Sequence, residues 1–319
     1  MAKRLSIILS AALVVFGAFW GFTHAVEIRD WYVSGQYEPP GDIKSITEKI
    51  KLTQKGKDTF YASTPELNSK ESFNDNCPVT EMTIVLGCYS NLKIYIYDIS
   101  DERLSGVEEV TAAHELLHAV YARLSSKDKN SLNSLIENEI SKIKDERVLQ
   151  LIDEYRKSSP DEILNEAHSI IGTELAEISP ELENHYAKYF TSRKDVVAFS
   201  QQYESQFSER ADQINSYDKE LEDLNGNITS LETEITSLKQ ELDQMAGELN
   251  NFRSAGSIEK YNAGVPEYNA KVNEYNAKID EYKGLVDSYN TIVAKRNEIA
   301  LEQKDLLKNL DSNLQPISP

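Results

Sequence analysis

His114, Glu115, Leu116, Leu117 and His118 form a His-Glu-x-x-His pentapeptide. On a helix, residues four apart lie one above the other, so the two imidazoles would face a single point. Imidazole nitrogen is a preferred ligand of Zn2+, and two such nitrogens make half of a tetrahedral shell. Glu115 stands about 100° round the helix from His114, outside the pair but beside it. A carboxylate there can take a proton from a zinc-activated water and hand it to a leaving group. The chemistry these five residues predict is metal-assisted hydrolysis.

That geometry requires a helix running through the motif. Ser105-Gly106-Val107-Glu108 reads as a capping box, and Val107, Val110, Leu117, Val120, Tyr121 and Leu124 continue at helical spacing to a stop near Ser125. Just upstream, Leu92 to Ile99 alternates and is rich in β-branched and aromatic residues, which predicts a strand; Met82 to Gly87 reads as a shorter one. A helix is expected over 42–57. Downstream the pattern is helical to about residue 190, with Leu132, Leu135, Ile136, Ile140, Ile143, Val148, Leu151, Ile152 and Tyr155 on apolar faces. Ser159-Pro160-Asp161-Glu162 and Ser179-Pro180-Glu181 each read as an N-cap, a first-turn proline and first-turn acids, which predicts helix starts near 160 and 180.

A catalytic zinc needs a third protein ligand and an open position. The chain has HELLHAV at 114–120 and NEAHS at 165–169. In these two segments it resembles the thermolysin-like gluzincins, zincin metallopeptidases whose active-site helix carries a stretch close to HELTHAV and whose next ligand-bearing helix carries NEAxSD. The resemblance implies His114, His118 and Glu166 as zinc ligands and Glu115 as the general base. Where that family has an aspartate orienting the first histidine, this chain has Ile170; Thr173 or Glu174, about a turn further on, could replace it. Glu174 and His168 are also rival third ligands, although His168 is about 200° from Glu166 on a helix. For the group that stabilises the transition state, His185, Tyr186 and Tyr189 in LENHYAKYF are candidates by chemistry.

The rest of the chain bounds where such a site would work. With 34 basic and 53 acidic residues the net charge is −19, and no basic stripe exists to neutralise phosphates, which excludes nucleic acid as a partner. Lys3 and Arg4 precede an uncharged apolar run, Leu5 to Phe22, long enough to span a bilayer core, and the charge order puts the remainder of the chain outside. Thr23-His24-Ala25 offers a cleavage site, in which case the protein would be secreted, but the run exceeds the usual signal-peptide length and an uncleaved anchor is expected. Cys77 and Cys88, the only cysteines, both follow this segment and are expected to form a disulfide.

Beyond Arg193 the composition changes. Ile214, Tyr217, Leu221, Leu224, Ile228, Leu231, Ile235, Leu238, Leu242, Met245, Leu249 and Phe252 step by threes and fours. After breaks at 254–257 and 264–266, Tyr261, Tyr268, Tyr275, Tyr282 and Tyr289 recur every seven residues with Val265, Val272, Ile279, Val286 and Val293 between them. Two matched arrays predict an antiparallel hairpin.

The expected fold is mainly α (α+β): a small zincin-like domain with a short β-sheet, then a long antiparallel coiled-coil hairpin, behind an N-terminal transmembrane helix. The expected divisions are an anchor at 1–26, a polar juxtamembrane linker at 27–45 with Trp31 and Tyr32 near the interface, a metallopeptidase domain at 46–192, the hairpin at 193–312 and a tail at 313–319. The expected function is that of a membrane-anchored extracytoplasmic zinc metallopeptidase acting on a peptide or protein substrate, bound by strand addition if the strand at 92–99 forms the cleft edge. The alternative is a catalytically inactive zincin-like scaffold whose hairpin binds a protein partner or self-associates at the cell surface.

Overall fold

A computed structural model describes residue 21, residues 25–77 and residues 86–312. Among them the chain is mainly helical with one small sheet and two long helices. In order come α1 (Ala25–Gln36), α2 (Gly41–Lys49), α3 (Gln54–Ala62), β1 (Glu66–Asn68), α4 (Lys70–Asn76), β2 (Gly87–Ser90) and β3 (Lys93–Tyr97). A 3-10 turn, Glu102–Leu104, leads to α5 (Val107–Arg123), α6 (Ser126–Ile140), α7 (Glu146–Ser158), α8 (Ile163–Glu174), α9 (Pro180–Tyr186), α10 (Arg193–Ser254) and α11 (Ile258–Leu310). The chain divides into two units, one taking in the described residues up to Gln206 and from Leu306, the other Phe207–Asp305.

In the first unit α5 is the central element. Ala112, Ala113, Leu116, Leu117 and Ala119 are fully buried and Val110 and Val120 nearly so, which makes the helix apolar on most of its circumference, as an interior helix must be. It packs against α8, β2 and β3. The approach of α8 is set by small residues: a Cβ on Gly172 would lie 2.4 Å from Leu117 Cδ1 and 2.8 Å from Tyr186 Cε1. Truncating a wholly buried leucine such as Leu116 or Leu117 to alanine would cost about 2–5 kcal/mol, enough to loosen the element that carries both histidines.

The sheet has strand order β1-β3-β2, with β1 parallel and β2 antiparallel to β3. β3 alternates as expected, with Ile94 and Ile96 buried and Lys93, Tyr95 and Tyr97 half-buried. It is the central strand, so both of its edges are taken and the expectation that it offers an edge for strand addition is corrected: among the described residues the outer strand that lies against α5 is β2. A two-residue turn with Asn91 at φ 52° and Leu92 at φ 65° joins β2 to β3, the left-handed pair that matches strand twist in tight hairpins. A disulfide between Cys77 and Cys88, Cα atoms 6.0 Å apart, ties the end of α4 to β2; a loop of this size gives it a worth of about 3 kcal/mol.

Several local expectations shift. The N-cap of α5 is Gly106, at φ 100°, where a Cβ would crowd Phe199; Glu108 accepts instead from the Ile99 amide at 2.9 Å, so the capping box does not form. Helix α8 begins at Ile163, because Ser159 closes α7 and a turn occupies 160–162, whereas α9 starts at Pro180 behind Ser179 as its sequence predicts. The helix expected over 42–57 is two, α2 and α3, with Thr53 capping the second through its side chain. Residues 27–45 are not a linker: most of them belong to α1 and α2, and α1 packs on α3. Of the apolar run Leu5 to Phe22 only Gly21 is described; the rest, the expected strand residues Met82 to Val85 and the tail at 313–319 lie outside the described residues. Among the described residues no helix is long and apolar enough to cross a membrane.

In the second unit α10 and α11 run antiparallel. Asp218 pairs with Arg296 at 2.9 Å, Glu234 with Lys278 at 3.0 Å and Glu241 with Lys271 at 3.1 Å, partners that descend one helix as they climb the other. Leu231, Leu238 and Ile292 are buried in the seam, and the Tyr282 hydroxyl donates to Glu232 across it at 2.8 Å. The reversal is confined to residues 255–257 with Gly256 at φ 71°; Pro266 lies inside α11 rather than breaking it.

Candidate metal centre

Helix α5 presents His114 and His118 on successive turns, ring centroids 4.7 Å apart and edge-on. From the first turn of α8, Glu166 brings Oε2 to 3.6 Å from His114 Nε2 and 3.5 Å from His118 Nε2. Those separations are long for hydrogen bonds. They match the spacing of neighbouring ligands round a tetrahedral ion, about 3.3–3.4 Å for bonds of 2.0–2.1 Å. Glu166 Oε2 is buried and has no hydrogen-bond partner within reach. Two imidazole nitrogens and an orphaned carboxylate oxygen on one point are a donor set that fits zinc.

Glu115 flanks the pair from within α5. His114, Glu115 and His118 each offer a ligand atom, all within 4.8 Å of one another. Both carboxylates could therefore reach an ion, Glu166 from α8 and Glu115 from within α5. Glu115 is only 5% exposed and sits under β2. The contact is so close that a Cβ on Gly87 would meet Glu115 Cγ and Oε1 at 2.8 Å.

The orientation of His118 has an identifiable cause. Its Nδ1 lies 3.0 Å from Asn165 Oδ1, and Asn165 Nδ2 donates to Glu162 Oε2 at 3.1 Å. Because the amide nitrogen is committed to a carboxylate, its oxygen faces the ring and takes the Nδ1 proton. Nε2 is then the nitrogen that faces Glu166 and the one left for a metal. Burial opposes charge on His118, but Glu166 foremost, with Glu115 and Asn165, outweighs it and holds the imidazole up to about 10. Burial likewise works against charge on Glu166 and is outweighed by His118 and His114, which keep its carboxyl well below the usual range.

Other predicted residues are engaged elsewhere. Glu174 is bound by Arg147 Nη2 at 2.8 Å and Ser200 Oγ at 2.5 Å, and buried Thr173 donates to the Ser169 carbonyl. His168 is fully buried with Nε2 3.0 Å from His185 Nε2, its ring stacked on Tyr186. Tyr186 is itself fully buried and donates to the His168 carbonyl at 2.7 Å. Burial drives both histidines toward the neutral form, His185 to about 4, helped there by Lys188 and Lys55. This aromatic cluster is internal structure, so neither His185 nor Tyr186 is offered to a substrate, and Glu174, Thr173 and His168 do not join the donor set. Ile170 is core. Asn165, quoted in the sequence motif but given no role there, is the group holding a histidine.

Compared with known proteins, the chain matches no family model, no curated protein and no solved structure.

Proposed function

We propose that the protein is an extracytoplasmic zinc metallopeptidase of the gluzincin type, anchored in a membrane through Leu5 to Phe22. The observation that carries this reading is the convergence of Glu166 Oε2 on both Nε2 atoms with Glu115 alongside. His114, His118 and Glu166 would hold the ion. A bound zinc would polarise the scissile carbonyl and bring the pKa of a water toward 7.

Glu115 acts as the base, taking a proton from the attacking water and passing it to the departing amine. Its burial beneath β2 keeps bulk solvent from competing for that proton. Asn165 and Glu162 keep His118 in the tautomer that leaves Nε2 unprotonated. β2, an outer strand among the described residues, gives an extended peptide an edge to pair with directly above Glu115.

Zinc stoichiometry of the full chain, with His118→Ala, Glu166→Gln and Glu115→Gln beside wild type, tests the reading. The first two should lose the ion. Glu115→Gln should keep it and lose cleavage of a quenched peptide library. Undiminished binding in His118→Ala or Glu166→Gln would refute the ligand set, and a zinc-loaded wild type that cleaves nothing would leave the scaffold alternative standing.

A further inference from the structure

Helix α1 is amphipathic in the reverse of the usual sense. Its half-buried side, Arg29, Asp30, Val33 and Ser34, turns toward the domain and carries its bonded charges. Arg123 Nε and Nη2 both donate to Asp30, at 2.5 and 3.2 Å, and this guanidinium also reaches Tyr89 Oη at 2.9 Å and Ser63 Oγ at 3.1 Å. Arg29 adds a bond to Asp30 at 2.9 Å, and Tyr37, just past the helix, donates to the Pro65 carbonyl at 2.5 Å. The side chains of Arg123 and Asp30 are 11% and 15% exposed, so the clamp is largely shielded from water.

The opposite side carries no charge. Ile28, Trp31, Tyr32 and Gly35 fall within about 100° of one another at 100° per residue. Their side chains stand in the open: Ile28 is 42%, Trp31 77% and Tyr32 62% exposed. A monomer in water gains nothing by turning isoleucine, tryptophan and tyrosine outward while the same helix turns Arg29 and Asp30 toward the domain.

What covers this face follows from its place in the chain. α1 begins at Ala25, three residues after the apolar run Leu5 to Phe22, and between Leu5 and Ile28 the only charged residue is Glu27. Tryptophan and tyrosine prefer the headgroup level of a bilayer, where the ring is half in hydrocarbon and the polar edge meets water. We infer that the Ile28, Trp31 and Tyr32 face of α1 lies in the interfacial zone of the outer leaflet, so that the domain is held against the bilayer by a helix clamped to it rather than tethered by a flexible linker. The inference extends the membrane-anchoring part of the proposed function, and its test separates the two.

The chain contains two tryptophans, Trp20 in the apolar run and Trp31 on α1. Full-length Trp20→Phe and Trp31→Phe proteins, each with a single indole, are reconstituted into phosphatidylcholine vesicles carrying bromine near the headgroups or near the chain ends. In Trp20→Phe, Trp31 should emit blue-shifted and lose intensity to the shallow bromines more than to the deep ones. Water-like emission quenched by acrylamide would overturn the inference. So would a blue shift with no response to either lipid, which would mean that a second copy or another protein covers the face. In Trp31→Phe, a Trp20 indifferent to both lipids would refute the anchor, while the Trp31 signal would still decide the placement of α1.

Discussion

His118 can offer Nε2 to an ion only while its proton stays on Nδ1, and Asn165 Oδ1, 3.0 Å from that nitrogen, is what keeps it there. Partners of this kind typically account for about 10–100-fold in metal affinity. Asn165→Ala should therefore weaken zinc binding by about that factor, read by competition with a chromophoric chelator, while Asn165→Asp, which retains the acceptor, should bind close to wild type. Equal affinity in Asn165→Ala would show that something else fixes the ring. The adjacency of His114, Glu115 and His118 could be read from five consecutive letters because helical spacing is local. Asn165 could not, since an amide on another helix leaves no periodic signal, and its partner is forty-seven positions away. The His168 and His185 pair was missed for the same reason: a histidine chosen for its chemistry is indistinguishable, in sequence, from one that completes a buried aromatic cluster.

Gly87 is where sheet and helix meet over the site. An added Cβ would stand 2.6 Å from Thr111 Cγ2 and 2.8 Å from Glu115 Cγ and Oε1, contacts that force either β2 or the Glu115 side chain to move. Overpacking of this sort costs about 1–3 kcal/mol, and a displacement near 1 Å in a catalytic group can cost about 100-fold in rate. Gly87→Ala should thus fold, keep its zinc and lose most of its peptide cleavage, measured as kcat beside metal content; an unchanged kcat would mean that Glu115 is not positioned through β2. At this scale the sequence was partly legible. The strand at 92–99 and the α5 helix were set by alternation and helical spacing, but which strand is central depends on pairing over distance, and a single glycine at a close approach gives no pattern. α1 was hidden for a physical reason as well. Ile28, Trp31 and Tyr32 point outward while Arg29 and Asp30 turn inward, so a rule that equates polarity with exposure reads a docked helix as a linker.

The two long helices belong partly to the unit that holds the candidate metal centre. Val196, Val197 and Ser200 at the start of α10 and Leu306 and Leu310 at the end of α11 are buried within it. Arg193, 2% exposed, donates to the Leu175 and Ala176 carbonyls just beyond α8 and to Glu183 of α9, while Asn309 bonds Asp101 at 2.7 Å. The heptad series from Ile214 identified the hairpin, but the boundary drawn where the composition changes, at 193, is not where the units divide, at Gln206 and Leu306. The division follows contacts, and the first turns of α10 serve the core of the first unit. Two deletions should therefore behave oppositely. Excising 207–305 and joining Gln206 to Leu306 through a short Gly/Ser linker removes no residue of the first core, so zinc stoichiometry and the urea midpoint of that unit should be retained. Ending the chain at 192 removes Arg193, Val196, Val197, Leu306 and Leu310 together. Each fully buried aliphatic side chain contributes about 1.5–3 kcal/mol, and four of them approach the whole stability of a typical domain, about 5–15 kcal/mol. That shorter chain should unfold at low urea or fail to bind zinc, and if it matched the excised protein in both measurements, the helix ends would be passengers rather than part of the metal-site core.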